Sequence, residues 1–256
     1  MRVFGRPAAF LVLIAFILLF SRSSGVLVIS QPDSQVIGSF IEWFGVLYGL
    51  LLALVTVTVW EKFDKVAAEI DKEADALYLL FRTACYLPVQ NIKQEIWAAI
   101  TEYARYVTSA EVDQKRQRGQ TTDNEAEELL DSLHKVCGEA LASDAKDAIC
   151  RELLSRLNEV LDTRGDRIAH AKETIPATFW RLVIATSLIW LVSFFGLGIE
   201  NDWIALFITG GTVFTILSLA EIIRDLDHPY SGEWKVSFES FEHLMRLIER
   251  LAAENE

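Results

Sequence analysis

The sequence has few cysteines, prolines and glycines, and it lacks an excess of basic residues. Its 256 residues include 3 cysteines, 5 prolines and 13 glycines. Three widely spaced cysteines do not make a disulfide framework, and so little proline and glycine argues against a long disordered linker. Acidic residues number 36 against 24 basic ones, which gives a net charge of −12. Because phosphate binding needs a basic face, we expect no nucleic-acid partner.

Motifs for chemistry are also missing. The sequence contains no CxxC, no HExxH, no Gly-rich phosphate loop and no recognisable pairing of a nucleophile with a base. His134 and Cys137 are one helical turn apart, a spacing that can bind a metal, but two ligands do not make a site. Cys137 also falls on an apolar helix face. The sequence therefore predicts no enzyme, no metal site and no cofactor.

Long apolar runs are what the sequence does have, and they raise its mean hydropathy to +0.26 despite the acidic charge. A membrane-spanning helix needs about 20 apolar residues. Residues 36–60 contain a single charge, Glu42, and residues 177–220 hold two further runs. The first of these two runs begins at residue 177 if the Arg181 side chain reaches the membrane interface. These runs predict three spans in a lipid bilayer.

A shorter apolar run, residues 8–20, follows Arg2 and Arg6. Its length fits a short span or the core of a cleaved signal peptide. We favour a retained first span, because Pro7 suits a helix start and residues 26–29 continue the apolar character. The predicted fold is therefore an all-α membrane protein with four transmembrane helices and a cytoplasmic helical bundle continuous with them.

The predicted organisation has four parts. They are residues 1–60 with the first two spans, residues 61–175 with the bundle, residues 177–220 with the last two spans, and residues 221–256 with a tail. Apolar spacing in the bundle predicts four helices, the first running on from the second span until Pro88. Basic residues near the spans lie on the side of the bundle and the tail, which predicts that both are cytoplasmic. An amphipathic helix after Ser237 must dock on the bundle, the membrane surface or a neighbouring subunit.

Three stretches of the chain carry a family resemblance. The first runs from residues 49–51 through Trp60 to residues 74–78. The second is residues 163–168, followed by Ile175, Pro176 and Trp180. The third is residues 226–232 together with Val236 and Ser237. The last stretch is the most specific, with an aspartate, a proline, an aromatic residue and a glycine after the final span. Together they resemble the bestrophin-like bacterial membrane proteins over about residues 40–245.

The resemblance implies four spans whose helices extend into the cytoplasm, in a bacterial inner (plasma) membrane. It also implies a distant relation to the bestrophins, which are pentameric ligand-gated anion channels. The bestrophin neck is a cluster of apolar and aromatic side chains on the second span, whereas Glu42 interrupts Phe40, Ile41 and Phe44 here. The acidic cluster that binds calcium in bestrophins has no counterpart. The resemblance therefore leaves the pore and the ligand of this chain open.

Candidate site residues lie first on the second span. A carboxylate inside a span often marks a conduction path or a proton site, which makes Glu42 a candidate. Alternatively the span begins later, and Glu42 lies in the outer interface beside Trp43. Gly45, Gly49 and Ala53 form a stripe at four-residue spacing, which suits close helix packing or the lining of a pore.

The family-like motif after the last span is a further candidate. Its residues are Asp227, Pro229, Tyr230 and Gly232. Proline and glycine favour a turn, in which Asp227 caps the chain or pairs with a basic residue at the membrane surface. The basic candidates are Arg164, Arg167 and Arg181. A ligand site built from these groups is the alternative.

Two functions fit these observations. One is a bestrophin-like oligomeric ion channel whose second span lines the pore, with the bilayer, further copies of the chain and small ions as partners. The other is a non-conducting membrane scaffold or sensor that acts through its bundle. Ring-shaped oligomers favour the first function, and monomers or dimers favour the second.

Overall fold

The computed structural model describes residues 31–109, 124–143, 148–197, 199–230 and 233–253. These residues form seven helices and no strand, which confirms the predicted all-α fold. The helices are α1 (Gln31–Ala84), α2 (Gln90–Val107), α3 (Asn124–Ser143), α4 (Ala148–Lys172), α5 (Ala177–Phe195), α6 (Asp202–Asp227) and α7 (Glu239–Ala253). The predicted first span at residues 8–20 lies outside the described residues.

Helix α1 continues for 54 residues without a break. Its first part is the apolar run, and its second part carries apolar residues at three- and four-residue steps, so both parts favour a helix. The helix ends at Ala84, whose carbonyl oxygen accepts a hydrogen bond from the N–H of Leu87 at 3.1 Å. Pro88 follows at once, and its ring disfavours helical backbone in the residue before it. The apolar run therefore passes directly into the polar region, as the sequence predicts.

The described residues fall into two compact units, each built from two stretches of chain. The apolar unit combines the described residues up to Trp60 with Ile175–Asp227. The bundle unit combines the described residues of Glu61–Thr174 with those from His228 onward. The helical stretches long and apolar enough to cross a membrane are Asp33–Ala84, Ala148–Phe194 and Asp202–Asp227. All three contain a run that the sequence predicts as a span.

The bundle unit has one continuous apolar core, to which α2, α3, α4, α7 and the second part of α1 contribute. Helix α2 packs against both α3 and α7, and α3 packs against α4. The side chains that α7 buries are Phe241, Leu244 and Ile248. At the start of α7 the N–H of Glu239 donates to Ser237 Oγ at 3.1 Å, which satisfies one free donor of the first turn. Helix α7 thus docks on the bundle, which is one of the three partners expected for the tail helix.

Candidate functional site

Helix α1 uses one face to pack inside the apolar unit. The buried residues on this face are Tyr48, Leu52, Val55 and Val59. The hydroxyl of Tyr48 lies 2.5 Å from Ser187 Oγ on α5. Because Ser187 donates its own hydrogen to the carbonyl oxygen of Val183 at 2.7 Å, Tyr48 is the donor in this pair. A buried hydrogen bond therefore joins α1 to α5.

Glu42 lies on another side of α1 and is exposed. It precedes Gly45, Gly49 and Ala53 by three, seven and eleven residues, so the four positions share one stripe of the helix. Within residues 36–60 it is the only charged side chain. The stripe therefore combines one carboxylate with three positions that have almost no side-chain bulk. We call these four residues the α1 stripe.

The two glycines of the α1 stripe have different surroundings. A Cβ atom at Gly45 would lie 3.2 Å from Cζ2 of Trp190, which is a tight contact. The Trp190 ring is held there, because its Nε1 donates to the carbonyl oxygen of Ile41 at 3.3 Å. A Cβ atom at Gly49 would meet no described atom within 4 Å. Gly45 therefore serves close packing of α1 against α5, and Gly49 presents bare backbone.

A cleft of about 790 Å³ opens beside the α1 stripe, between α1, α5 and α6. Its walls include Gly45, Gly49, Ala53, Trp190, Phe207 and Gly211. The hydroxyls of Thr56 and Thr215 in these walls donate to carbonyl oxygens of their own helices, at 2.8 and 2.9 Å. Most of the residues that line the cleft are apolar, so within one protomer it suits an apolar group better than an ion.

A second candidate site is a buried cluster of charged and aromatic residues in the bundle unit, which we call the Glu73 cluster. Glu73 on α1 has no exposed surface. Its Oε2 accepts a hydrogen bond from Arg167 Nε at 2.5 Å, and its Oε1 accepts one from the Tyr103 hydroxyl at 2.5 Å. Arg167 Nη1 also donates to the hydroxyl of Tyr230 at 3.4 Å. The cluster thus joins α1, α2, α4 and the turn that precedes α7.

The protonation states of the Glu73 cluster follow from its burial and charges. Burial is the largest single effect and acts to lower the pKa of Arg167, but the charge and hydrogen bond of Glu73 together with Tyr230 and Tyr103 outweigh it and raise this pKa well above its ordinary value. Burial, aided by the same carboxylate, raises the pKa of Tyr103 above its ordinary value. Arg167 therefore stays charged and Tyr103 stays protonated near neutral pH. The cluster is built as a hydrogen-bonded ion pair and is unsuited to proton transfer.

The three arginines expected at a membrane surface occupy different environments. Arg164 and Arg167 are buried in the bundle unit, at 9% and 5% exposure, so their side chains are not on its surface. Arg167 is drawn inside by its pairing with Glu73. Arg181 on α5 is exposed, and its Nη2 donates to Thr178 Oγ1 at 3.2 Å. Of the three, only Arg181 has the exposure that a membrane-surface role requires.

The motif after the last span forms a turn. Asp227 is buried, and its Oδ1 accepts a hydrogen bond from the N–H of Ile175 at 3.1 Å. The carbonyl oxygen of Pro229 accepts one from the N–H of Val236 at 3.0 Å. The ring of Tyr230 stacks on Phe238, with centroids 6.3 Å apart. These contacts favour a structural role for the described part of the motif, and Gly232 lies outside the described residues.

Two residues of the Glu73 cluster were not singled out by sequence reasoning. Glu73 falls between Ile70 and Leu77 on the apolar face of α1, and a charge on such a face is a signal of a buried partner. Tyr103 looks like an ordinary core aromatic. Among the described residues no group of three potential metal ligands occurs, and burial raises the pKa of Cys137 to about 12, which keeps its thiol protonated.

The fold and the long apolar helices define this chain as a helical membrane protein. The family model for the Bestrophin-like domain matches residues 8–241. The chain therefore belongs to the Bestrophin-like family, which confirms the predicted resemblance. Among curated proteins, none matches the chain significantly by sequence.

Solved structures of a bacterial bestrophin homologue from Klebsiella pneumoniae share the fold. One variant is 12% identical, with a TM-score of 0.74 over 98% of this chain and 99% of that chain. Another variant is 11% identical, with a TM-score of 0.75 over 99% of this chain and 100% of that chain. The chain thus matches these proteins over their whole length. At such low identity the similarity shows the fold alone.

Proposed function

We propose that the protein is a homo-oligomeric ion channel in which α1 lines the pore, and that it is not an enzyme. Known members of the Bestrophin-like family are oligomeric ion channels. The observation that carries the proposal is the α1 stripe, because it combines the exposed Glu42, the only charge of an apolar run, with open space beside Gly49. A pore needs both a polar group and free space along its lining.

A ring of identical subunits would place one Glu42 carboxylate from each copy around the symmetry axis. Rings of acidic side chains favour cations. The net charge of −12 also raises the local concentration of cations near the protein. The permeant ions proposed are therefore small cations, in contrast to the anion selectivity that the bestrophin resemblance implies.

The proposed topology has four spans in the inner membrane, with the bundle unit and the C-terminus in the cytoplasm. The excess of Lys and Arg beside the spans on that side supports this orientation. The scaffold or sensor alternative has less support. Helix α7 buries its apolar face in its own unit, so that face is not available to recruit a partner.

The test is ion flux from proteoliposomes that hold the purified protein, with potassium and chloride gradients measured separately. We expect potassium flux, and we expect Glu42→Gln to reduce potassium selectivity because it removes the charge and keeps the side-chain shape. Glu128→Gln, which changes an exposed carboxylate on α3, is the matched control and leaves selectivity unchanged.

Two outcomes would contradict the proposal. The first is absence of flux of either ion from protein that is shown to be folded, inserted and oligomeric. The second is flux that Glu42→Gln does not alter, which would place the pore away from the α1 stripe. A monomer or dimer in native mass measurements would favour the scaffold alternative.

A further inference from the structure

Two arginines one helical turn apart on α4 differ in their partners. Arg167 is paired with Glu73. Arg164 is 9% exposed, and its Nε is buried without a hydrogen-bond partner among the described residues. Arginine is almost never buried without a partner, because taking an unpaired charge out of water is unfavourable. The difference therefore indicates that something besides the described residues meets Arg164.

Arg164 forms no ion pair with any of the described residues. It lies close enough to the Glu73 cluster to act electrostatically on Tyr103. The only carboxylate in that cluster is Glu73, whose Oε2 is bound by Arg167 and whose Oε1 is bound by Tyr103 and again by Arg167 at 3.4 Å. Both oxygens of Glu73 are thus already bound, and Tyr103 is neutral. The pair of Glu73 and Arg167 has no net charge, so it leaves the positive charge of Arg164 uncompensated.

We propose that Arg164 is the anchor of an anion site in the bundle unit, and that the site takes an oxyanion, either a carboxylate or a phosphate. The planar guanidinium presents parallel N–H donors that match the two oxygens of these groups, which a lysine does not. The remaining exposure of Arg164 leaves the site open to an incoming group. The inference does not depend on ion conduction, since it concerns a different unit and a different measurement.

The experiment follows thermal unfolding of the full-length protein in phosphatidylcholine nanodiscs. Inorganic phosphate and acetate are titrated at constant ionic strength. We expect at least one of them to raise the Tm saturably, because a ligand that binds only the folded state stabilises it. Arg164→Met abolishes this rise. Arg156→Met, at a half-buried arginine on the same helix that pairs with Glu152 and Glu159, retains it.

The oxyanion has two possible sources, and lipid composition separates them. If the site takes a lipid headgroup, nanodiscs that contain phosphatidylglycerol raise the Tm of the wild type but not of Arg164→Met, and soluble phosphate adds nothing further. If the site takes a free anion, the soluble titration alone shows the effect. Either pattern supports the site.

A measurement without added anion can overturn the proposal. Methionine keeps the apolar stem of Arg164 and removes an unpaired charge, so we expect Arg164→Met to be at least as stable as the wild type in phosphatidylcholine nanodiscs. A marked fall in Tm would show that Arg164 already has a partner within the chain. A wild type whose Tm no anion or anionic lipid shifts would overturn the proposal as well.

Discussion

The two units differ in how far their large apolar side chains are exposed. In the bundle unit they are inside, and Phe81 and Phe241 have no exposed surface. In the apolar unit many face outward, and Val36, Trp203 and Phe207 are 70%, 79% and 81% exposed. Water drives apolar side chains inward, whereas lipid does not. The contrast is the one expected for a chain with one part in water and another in a bilayer.

Polar groups show a second contrast. In the apolar unit the hydroxyls of Thr186 and Ser193 each donate at 2.8 Å to a carbonyl oxygen of their own helix. This local pairing is expected where no water is available. The bundle unit instead buries Glu73 and Arg167, which are 94 positions apart, as a pair. The bundle unit thus joins helices through a buried charged pair, whereas the apolar unit joins α1 to α5 through the neutral side chains of Tyr48 and Ser187.

Equal substitutions in the two units give the strongest test of this comparison. Phe241→Ala removes a fully buried ring, and we expect it to lower the free energy of unfolding by about 4 kcal/mol. Phe207→Ala removes an exposed ring, and we expect a change within about 0.5 kcal/mol. Unfolding of the protein in nanodiscs, followed by circular dichroism, measures both. An equal loss for Phe207→Ala would show that another subunit covers this ring.

The next largest effect concerns the Glu73 cluster. Glu73→Gln keeps the shape of the side chain but leaves the charge of Arg167 buried without its counter-charge, and we expect a loss of about 3 kcal/mol. The same unfolding measurement applies, with Glu128→Gln as the exposed control.

A double variant tests whether the loss comes from the uncompensated charge. Glu73→Leu combined with Arg167→Met removes both charges and keeps the volume, so most of the stability should return. A double variant as unstable as Glu73→Gln would mean that hydrogen bonds within the cluster, rather than charge pairing, hold the helices together.

Much of the architecture could be predicted from the sequence, because it depends on local patterns. The apolar run before Trp60 and the stop at Pro88 predict one long helix, and the structure shows α1 from Gln31 to Ala84. The helix begins before the predicted span, which starts at residue 36, and Pro32 favours a helix start outside the apolar run. The first span and the sidedness stay predictions.

Two tyrosine-to-phenylalanine variants compare how much one buried hydrogen bond contributes to stability in each unit. Tyr103→Phe removes a donor to the charged Glu73, and we expect a loss of about 2 kcal/mol. Tyr48→Phe removes the bond to Ser187 in the apolar unit, where such bonds average about 0.6 kcal/mol. Denaturation in urea suits the first variant, and titration with SDS in mixed micelles suits the second. A larger loss for Tyr48→Phe would reverse the expected order of the two units.

The candidate sites were less predictable, because they depend on which distant residues meet. Spacing alone predicts the stripe of Gly45, Gly49 and Ala53, but it does not reveal that Trp190 covers only Gly45. Likewise the sequence marks Arg164 and Arg167 as basic. Only their packing shows that Arg167 is ion-paired and that the buried Nε of Arg164 has no hydrogen-bond partner within the described part of the chain. Both distinctions arise from tertiary contacts between helices far apart in the chain.

The smallest predicted difference between two paired variants separates the two glycines of the α1 stripe. Gly45→Ala pushes a methyl group against a Trp190 ring that its bond to Ile41 holds in place, so we expect it to be less stable than Gly49→Ala by about 1 kcal/mol. Gly49→Ala meets no described atom, so folding of the protomer tolerates it. SDS titration measures the two stabilities. If Gly49→Ala instead makes the oligomer less stable, another subunit packs against the bare backbone of α1 at Gly49. If it lowers the ion flux, the permeating ions pass α1 at this position.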